Sequence, residues 1–207
     1  MIEIDERFAE LLEQRFRLSD LERHPSSVVG IWPDTRIAYL SQAWHAFAAT
    51  NDGLPAIASW GLGARYMDAV PEVLRPFYES FFSGVPDADA SLHPMTHEYE
   101  CSSPTLFRKF SMHAFALEAR AGFVIVNSLL VERPHGDTRN GTASIEGSRY
   151  ETAGSVVVQC SHCRRFGDAR DPERWDWVPD WVASTPAGTS HGICPTCYDY
   201  YYPGFPR

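Results

Sequence analysis

Four of the five cysteines in this 207-residue chain come as two matched pairs, Cys160-x2-Cys163 and Cys194-x2-Cys197, with thirty residues between them. Each pair can form a tight knuckle whose two sulfurs point at one ion. Two knuckles complete four thiolates, the ligation that tetrahedral zinc takes in structural sites. Four protein sulfurs leave no open coordination position, so Cys160, Cys163, Cys194 and Cys197 are expected to hold a structural zinc. Such an ion contributes on the order of 10 kcal/mol of apparent binding free energy to a segment too short to fold on its own core. The competing chemistries for these thiols are a redox dithiol and an iron–sulfur cluster. A thioredoxin-type dithiol sits singly at a strand-to-helix junction of a βαβ unit, and that setting is missing here. His162 and His191 flank the knuckles, but four cysteines already suffice; His191 is read as a donor to a ligand or as a packing residue.

Elsewhere the chain offers little chemistry. Cys101 follows Glu98-Tyr99-Glu100 in no electropositive setting and is expected to be a buried or half-buried structural thiol. Glu98 and Glu100 lie two apart on one face of a strand, where a solvated edge accounts for them. His24, His45, His93, His97, His113 and His135 sit in no recognisable haem-ligand phrase. No nucleophile with a base, no phosphate-cradling glycine loop and no open metal site is present, so no enzymatic activity is expected.

The formal charge is −9, with 13 Lys and Arg against 21 Asp and Glu in residues 1–155 and 5 against 6 in 156–207. That balance argues against nucleic acid as a partner, since affinity there comes largely from phosphate neutralisation. The longest apolar stretches fall well short of the roughly 18 to 20 residues of a membrane helix, so no membrane role is expected. The start, Met1-Ile-Glu-Ile-Asp-Glu-Arg, lacks the basic and apolar regions of a secretory signal, which points to the cytoplasm. In that reducing setting paired cysteines more often hold metal than form disulfides.

The elements that must carry these residues follow from periodicity. Ile4, Phe8, Leu11, Leu12 and Phe16 recur on one face of a helix predicted over residues 3–18, with Glu3/Arg7 and Glu13/Arg17 in the favourable i,i+4 order. This stripe is read as a dimer interface or as a face covered by the next domain. Val28–Trp32 and Arg36–Leu40 make a hairpin around Pro33-Asp34-Thr35. Ser41 caps a helix from Gln42 to about Thr50 with Trp44, Phe47 and Ala48 facing inward, and another helix runs from about Glu72 to Ser83. Met95–Cys101, Thr105–Leu117 and Gly122–Glu132 alternate as three strands. Residues 133–155 are polar and glycine-rich, a linker. Between the knuckles, Trp175, Trp177, Val178, Trp181 and Val182 form an apolar stripe with more surface than a 50-residue module can hide, so it is expected to dock on the sheet or on a partner.

In order and phrasing the central segment, residues 24–132, resembles a PAS domain. "IWPDTRIAYLSQAWHAFAATNDG" is similar to the family's opening hairpin and first helix, with Ser41 where many members have Asn, and "HEYECSSPTLFRKFSMHAFAL" to its later strands. "CSHCRRFGD…RWDWVPDWV…SHGICPTC" resembles the short cysteine module that follows PAS or receiver domains in bacterial signalling proteins, which again makes the four cysteines the metal ligands. Here "RRFGD" departs from the usual phrase and the loop "DARDPER" is longer.

The resemblance implies an α+β fold: a five-stranded antiparallel sheet with short helices on one face, an N-terminal amphipathic helix over 1–23, and a zinc module over 156–207. It implies a stand-alone sensory or regulatory protein that binds a small ligand or a signalling partner and uses a pocket for which Trp44, Phe47, Tyr66, Phe77, Phe110 and His113 are candidates, while the apolar face of residues 3–18 leads to the expectation of a homodimer. The flavin-photosensor phrase "NCRFLQ" is absent. Two alternatives stay open: a redox or zinc sensor in which the thiolates are the switch, and a sensor depending on haem or another cofactor. The module is further expected to fix the end of the sheet and transmit its state.

Overall fold

The computed structural model describes residues 2–51, 60–88, 93–134, 147–152 and 156–204, and the chain divides into two compact units. One comprises Met1–Val70, Tyr78–Tyr99 and Phe110–Leu129, the other Pro71–Phe77, Glu100–Lys109 and Leu130–Arg207.

At the start of the first unit the apolar stripe does not form one helix. Glu3–Ile4 is extended as β1 and pairs antiparallel with Leu40 and Tyr39. Asp5 then caps α1, Glu6–Leu12, its carboxylate accepting the N–H groups of Arg7 and Phe8. The chain turns again before α2, Leu18–Arg23, where Glu13 accepts the Leu18 N–H at 2.9 Å instead of pairing with Arg17 along a continuous helix. A stripe of apolar residues reports which side is buried, and it reads the same through such breaks. Phe8 and Leu12 are fully buried with Leu21, Val28, Ala38, Tyr39, Leu117 and Val124. The face expected to build a dimer is therefore covered within the unit.

The hairpin forms as predicted: β2, Ser27–Ile31, runs antiparallel to β3, Ile37–Leu40, with Val29 opposite Leu40 and Gly30 opposite Tyr39. Ser41 caps α3, Gln42–Thr50; its hydroxyl accepts the N–H of Trp44 at 3.3 Å and that of Val28 at 3.0 Å, tying helix to sheet. Trp44, Phe47 and Ala48 are only half-buried, which corrects the inward packing expected of them. Short 3-10 turns at Tyr66–Ala69 and Glu72–Leu74 lead into α4, Arg75–Ser83. The period-two segments become β4, Met95–Glu100, β5, Leu106–Ala116, and β6, Phe123–Pro134. The sheet order is β1-β3-β2-β6-β5-β4, six strands where five were expected. The sixth is β1, whose two residues are too few to show a period. β4, β5 and β6 each supply residues to both units.

The second unit holds a four-stranded sheet in the order β10-β7-β8-β9, from β7, Val158–Cys160, β8, Phe166–Asp168, β9, Asp171–Asp176, and β10, Ser190–Gly192. β10 lies parallel to β7; β8 is antiparallel to β7 and to β9. Three short helices complete it: α5, Gly147–Tyr150, α6, Pro179–Ala183, and α7, Pro195–Tyr201. Its core is Tyr150, Val157, Phe166, Trp177, Val178 and Val182, with Trp181 packed against them. Two expectations change here. Trp177, Val178, Trp181 and Val182 of the tryptophan stripe pack within their own unit against Tyr150, Val157 and Phe166, while Trp175 stays half-buried outside that cluster. Tyr150, assigned by composition to the linker, is 1% exposed. A single aromatic in a polar stretch carries no periodicity to announce it. The rest of that linker, residues 135–146 and 153–155, lies outside the described residues, as do residues 52–59 of the Gly, Ala and Pro-rich stretch.

No helix among the described residues is long and apolar enough to cross a membrane.

Candidate metal centre

The first knuckle is built by the end of β7. After Cys160 the chain reverses through residues 161–163 and Arg164, whose φ of 62° lies in the left-handed region that lets a tight turn close. The Arg164 N–H donates to the Cys160 carbonyl at 3.0 Å, and the Cys160 N–H to the Arg165 carbonyl at 2.8 Å. The second knuckle is placed by β10, where Gly192 stands opposite Cys160 and its carbonyl accepts the Ser161 N–H at 2.8 Å. Two residues on, Cys194 caps α7. Its sulfur accepts the Cys197 N–H at 3.4 Å, and Pro195 occupies the first helical position, where a missing N–H costs nothing.

All four sulfurs fall within 4.8 Å of one another. Cys160, Cys163, Cys194 and Cys197 are buried, none more than 8% exposed. Cys163 and Cys194 have sulfurs 3.7 Å apart, too far for a disulfide. A tetrahedron of metal–sulfur bonds of about 2.3 Å has edges of about 3.8 Å, so the spacing suits one ion bound by four thiolates. The Cys194 N–H points at the Cys160 sulfur at 3.3 Å, a donor suited to a thiolate. The four cysteines together are thus able to hold a metal ion.

The electrostatics fit that reading. Hydrogen bonds from Cys163, Cys194 and Cys197 hold Cys160 far below the ordinary thiol range. Cys163 is pulled down to about 7, the opposing effect of Cys160 being outweighed by hydrogen bonds from Cys194 and Cys197. Cys194 and Cys197 are pushed up, first by Cys160 and then by Cys163. Ionising two sulfurs discourages the other two, and a bound cation removes that conflict.

The surroundings were only partly foreseeable. His162, inside the first knuckle, is no member of the ligand group; the Tyr201 hydroxyl lies 2.7 Å from its Nε2, and the two rings are 4.5 Å apart. Burial pushes His162 down to about 4, so the imidazole is neutral at pH 7. His191 is exposed, not packed. Glu100 is no solvated edge: its side chain, 16% exposed, pairs with Arg165 at 3.2 Å. Cys101 is exposed, against the expectation of a sheltered thiol. A cavity of about 690 Å³ reaches Cys160, with Gln159, Ser161, Arg164 and His191 on its wall. Nothing in the spacing of Glu100, Arg165 or Tyr201 marks them as neighbours of the cysteines; topology alone brings them there.

The pocket candidates are dispersed. Phe47 and Phe110 meet edge to face with ring centres 5.6 Å apart, and Tyr99 stacks on Phe110 at 5.6 Å. Tyr66 packs instead on Phe82 and Trp60. Trp44 makes its edge contact with His45, and His113 lies 2.8 Å from the Ser111 hydroxyl. Phe77 belongs to the second unit, where its ring stands 4.7 Å from Tyr201. No protein-family model matches the chain, and no curated protein matches it.

Proposed function

We propose that this chain is a sensory or regulatory protein of the PAS type whose cysteine module is organised by one structural zinc ion. The observation that carries the zinc reading is the convergence of four buried cysteine sulfurs within 4.8 Å. All-thiolate donors suit zinc, and a shell filled by protein leaves no position for substrate or activated water. Four sulfurs this close leave no room for a multi-iron cluster between them.

The sensory reading is supported by the element order, an antiparallel hairpin, short helices, then three strands, together with the two phrases in residues 24–132 that resemble the family. The regulatory output is then contact with a protein partner or a small ligand, and the metal fixes the module's shape.

Native mass spectrometry of the purified chain tests both halves, since one spectrum reports metal, retained small molecule and subunit number. The expected species carries one zinc per chain. A chain that takes up no metal when zinc is supplied in excess contradicts the metal reading; a coloured chain with one iron contradicts the choice of zinc.

A second reading, the thiol switch, makes the thiolates themselves the sensor, and a cavity with Cys160 among its lining residues lies beside them. Mild peroxide would then release the zinc. Retention of zinc under that treatment leaves the structural role.

A further inference from the structure

Glu72, in the 3-10 turn before α4, and Ser161 and Arg164, at the first knuckle, line one cavity of about 690 Å³ together with Val73, Gln159 and His191. All of these residues belong to the second unit. The volume falls within the range of small-molecule sites, roughly 300 to 1,000 Å³. Its walls are held in place. The Val73 carbonyl accepts the Tyr202 hydroxyl at 2.6 Å, and the Leu74 N–H donates to the Pro71 carbonyl at 2.8 Å, which fixes the turn that carries Glu72. Gln159, 5% exposed, donates its amide to the Arg164 carbonyl at 3.2 Å, and the Arg164 guanidinium donates to the Val182 carbonyl at 2.7 Å.

The wall carries both signs of charge. Glu72 is exposed, and among the described residues no cation pairs with it. A guanidinium has five N–H donors, and the Val182 carbonyl takes one of those on Arg164. The Ser161 hydroxyl and the His191 ring have no hydrogen-bond partner among the described residues. Arg164 and Glu72 thus line the same cavity without satisfying each other. A ligand with only a carboxylate would find Arg164 but be repelled by Glu72, and one with only an ammonium would meet the reverse. A molecule that carries both groups meets neither penalty. The planar fork of Arg164 suits a carboxylate, and the Glu72 carboxylate accepts from an ammonium.

We propose that this cavity binds a small zwitterion of the amino-acid class, its carboxylate on Arg164 and Ser161, its ammonium on Glu72, and its aliphatic part against Val73. The site deepens the regulatory reading, on which its purpose rests: the small ligand is taken by the cysteine module, on residues that adjoin Cys160 and Cys163.

The test is a nuclear magnetic resonance titration of the full, zinc-loaded chain with ε-aminocaproate, and with caproate and hexylamine as its single-charge counterparts. The Ser161 amide and the Arg164 side-chain resonances should shift saturably with ε-aminocaproate. Caproate and hexylamine should each bind about tenfold more weakly, the worth of one charge-assisted hydrogen bond. Glu72→Gln should weaken ε-aminocaproate by about tenfold and leave caproate no weaker, whereas Arg164→Gln should weaken both. No saturable shift at those two residues overturns the proposal, as does a Glu72→Gln chain that binds ε-aminocaproate as tightly as the wild type. Should Arg164→Gln not fold, Glu72→Gln decides, because Glu72 is exposed and pairs with no cation among the described residues. A chain that takes up no zinc defeats the metal reading, a separate outcome, and the same titration of that chain then decides the site.

Discussion

Glycine at position 30 is required by space. A Cβ there would stand 2.8 Å from Phe8 Cζ and 2.9 Å from Tyr39 Cβ, and one on Gly122 would stand 2.8 Å from Phe8 Cε2. The Phe8 ring therefore sits in a seat made by Gly30 on β2 and by Gly122, the residue just before β6, and this seat draws α1 onto the sheet. Gly30→Ala is expected to destabilise the first unit by about 1 to 3 kcal/mol, because a closely packed ring must shift. Chemical denaturation measures it; wild-type stability would show that Phe8 is not so confined. At this scale the cysteines were the most legible residues in the chain, since Cys-x2-Cys spacing is fixed by knuckle geometry. Glu100 and Arg165 were not, because they lie 65 residues apart and neither has a spacing that metal chemistry imposes.

Among the elements, β2 and β3 were legible as short apolar runs on either side of a turn signal, and both are buried almost continuously, while β5 keeps part of the alternation that marked it. β1 and α5 were not. Two residues cannot show a period, and α5 is a single turn whose one core residue is Tyr150. Tyr150 nonetheless ties α5 to β9, its hydroxyl donating to Asp176 at 3.0 Å. Burial, with that hydrogen bond, raises Tyr150 from 10.0 to about 12. A folded-state value above the unfolded one means a contribution that is complete below pH 10 and is lost as pH rises through about 12. Tyr150→Phe removes the hydrogen bond, so it should be less stable by about 1 kcal/mol at neutral pH. The gap should close between pH 10 and 12 in denaturation curves of the second unit. Parallel curves across that range would show that the hydroxyl is not coupled to folding.

At the scale of the whole molecule, the proposed metal would do for the second unit what size does for larger domains. Among the described residues its hydrophobic cluster is six buried residues with Trp181 against them, and its sheet strands β7, β8 and β10 are three residues each. Strands so short bring little independent stability, and structural zinc in such modules is folding free energy outright. The sequence reads as a sheet domain over 24–132 followed by a cysteine module over 156–207, and the chain divides into two compact units along other lines. Their boundary was not legible, since Pro71–Phe77 and Glu100–Lys109 join the second unit from within segments whose pattern belongs to the first. The Tyr202 hydroxyl donates to the Val73 carbonyl at 2.6 Å, one contact that brings Pro71–Phe77 into that unit. Because β4, β5 and β6 serve both units, we propose that metal loss is felt along these strands too. Hydrogen exchange resolved by peptide, on the full chain with its metal and after chelation, tests the central claim most directly. The account predicts that protection across Val158–Cys160, Phe166–Asp168 and Pro195–Tyr201 collapses when the ion is removed and returns when zinc is restored. Protection in those three segments that is the same with and without metal would contradict it.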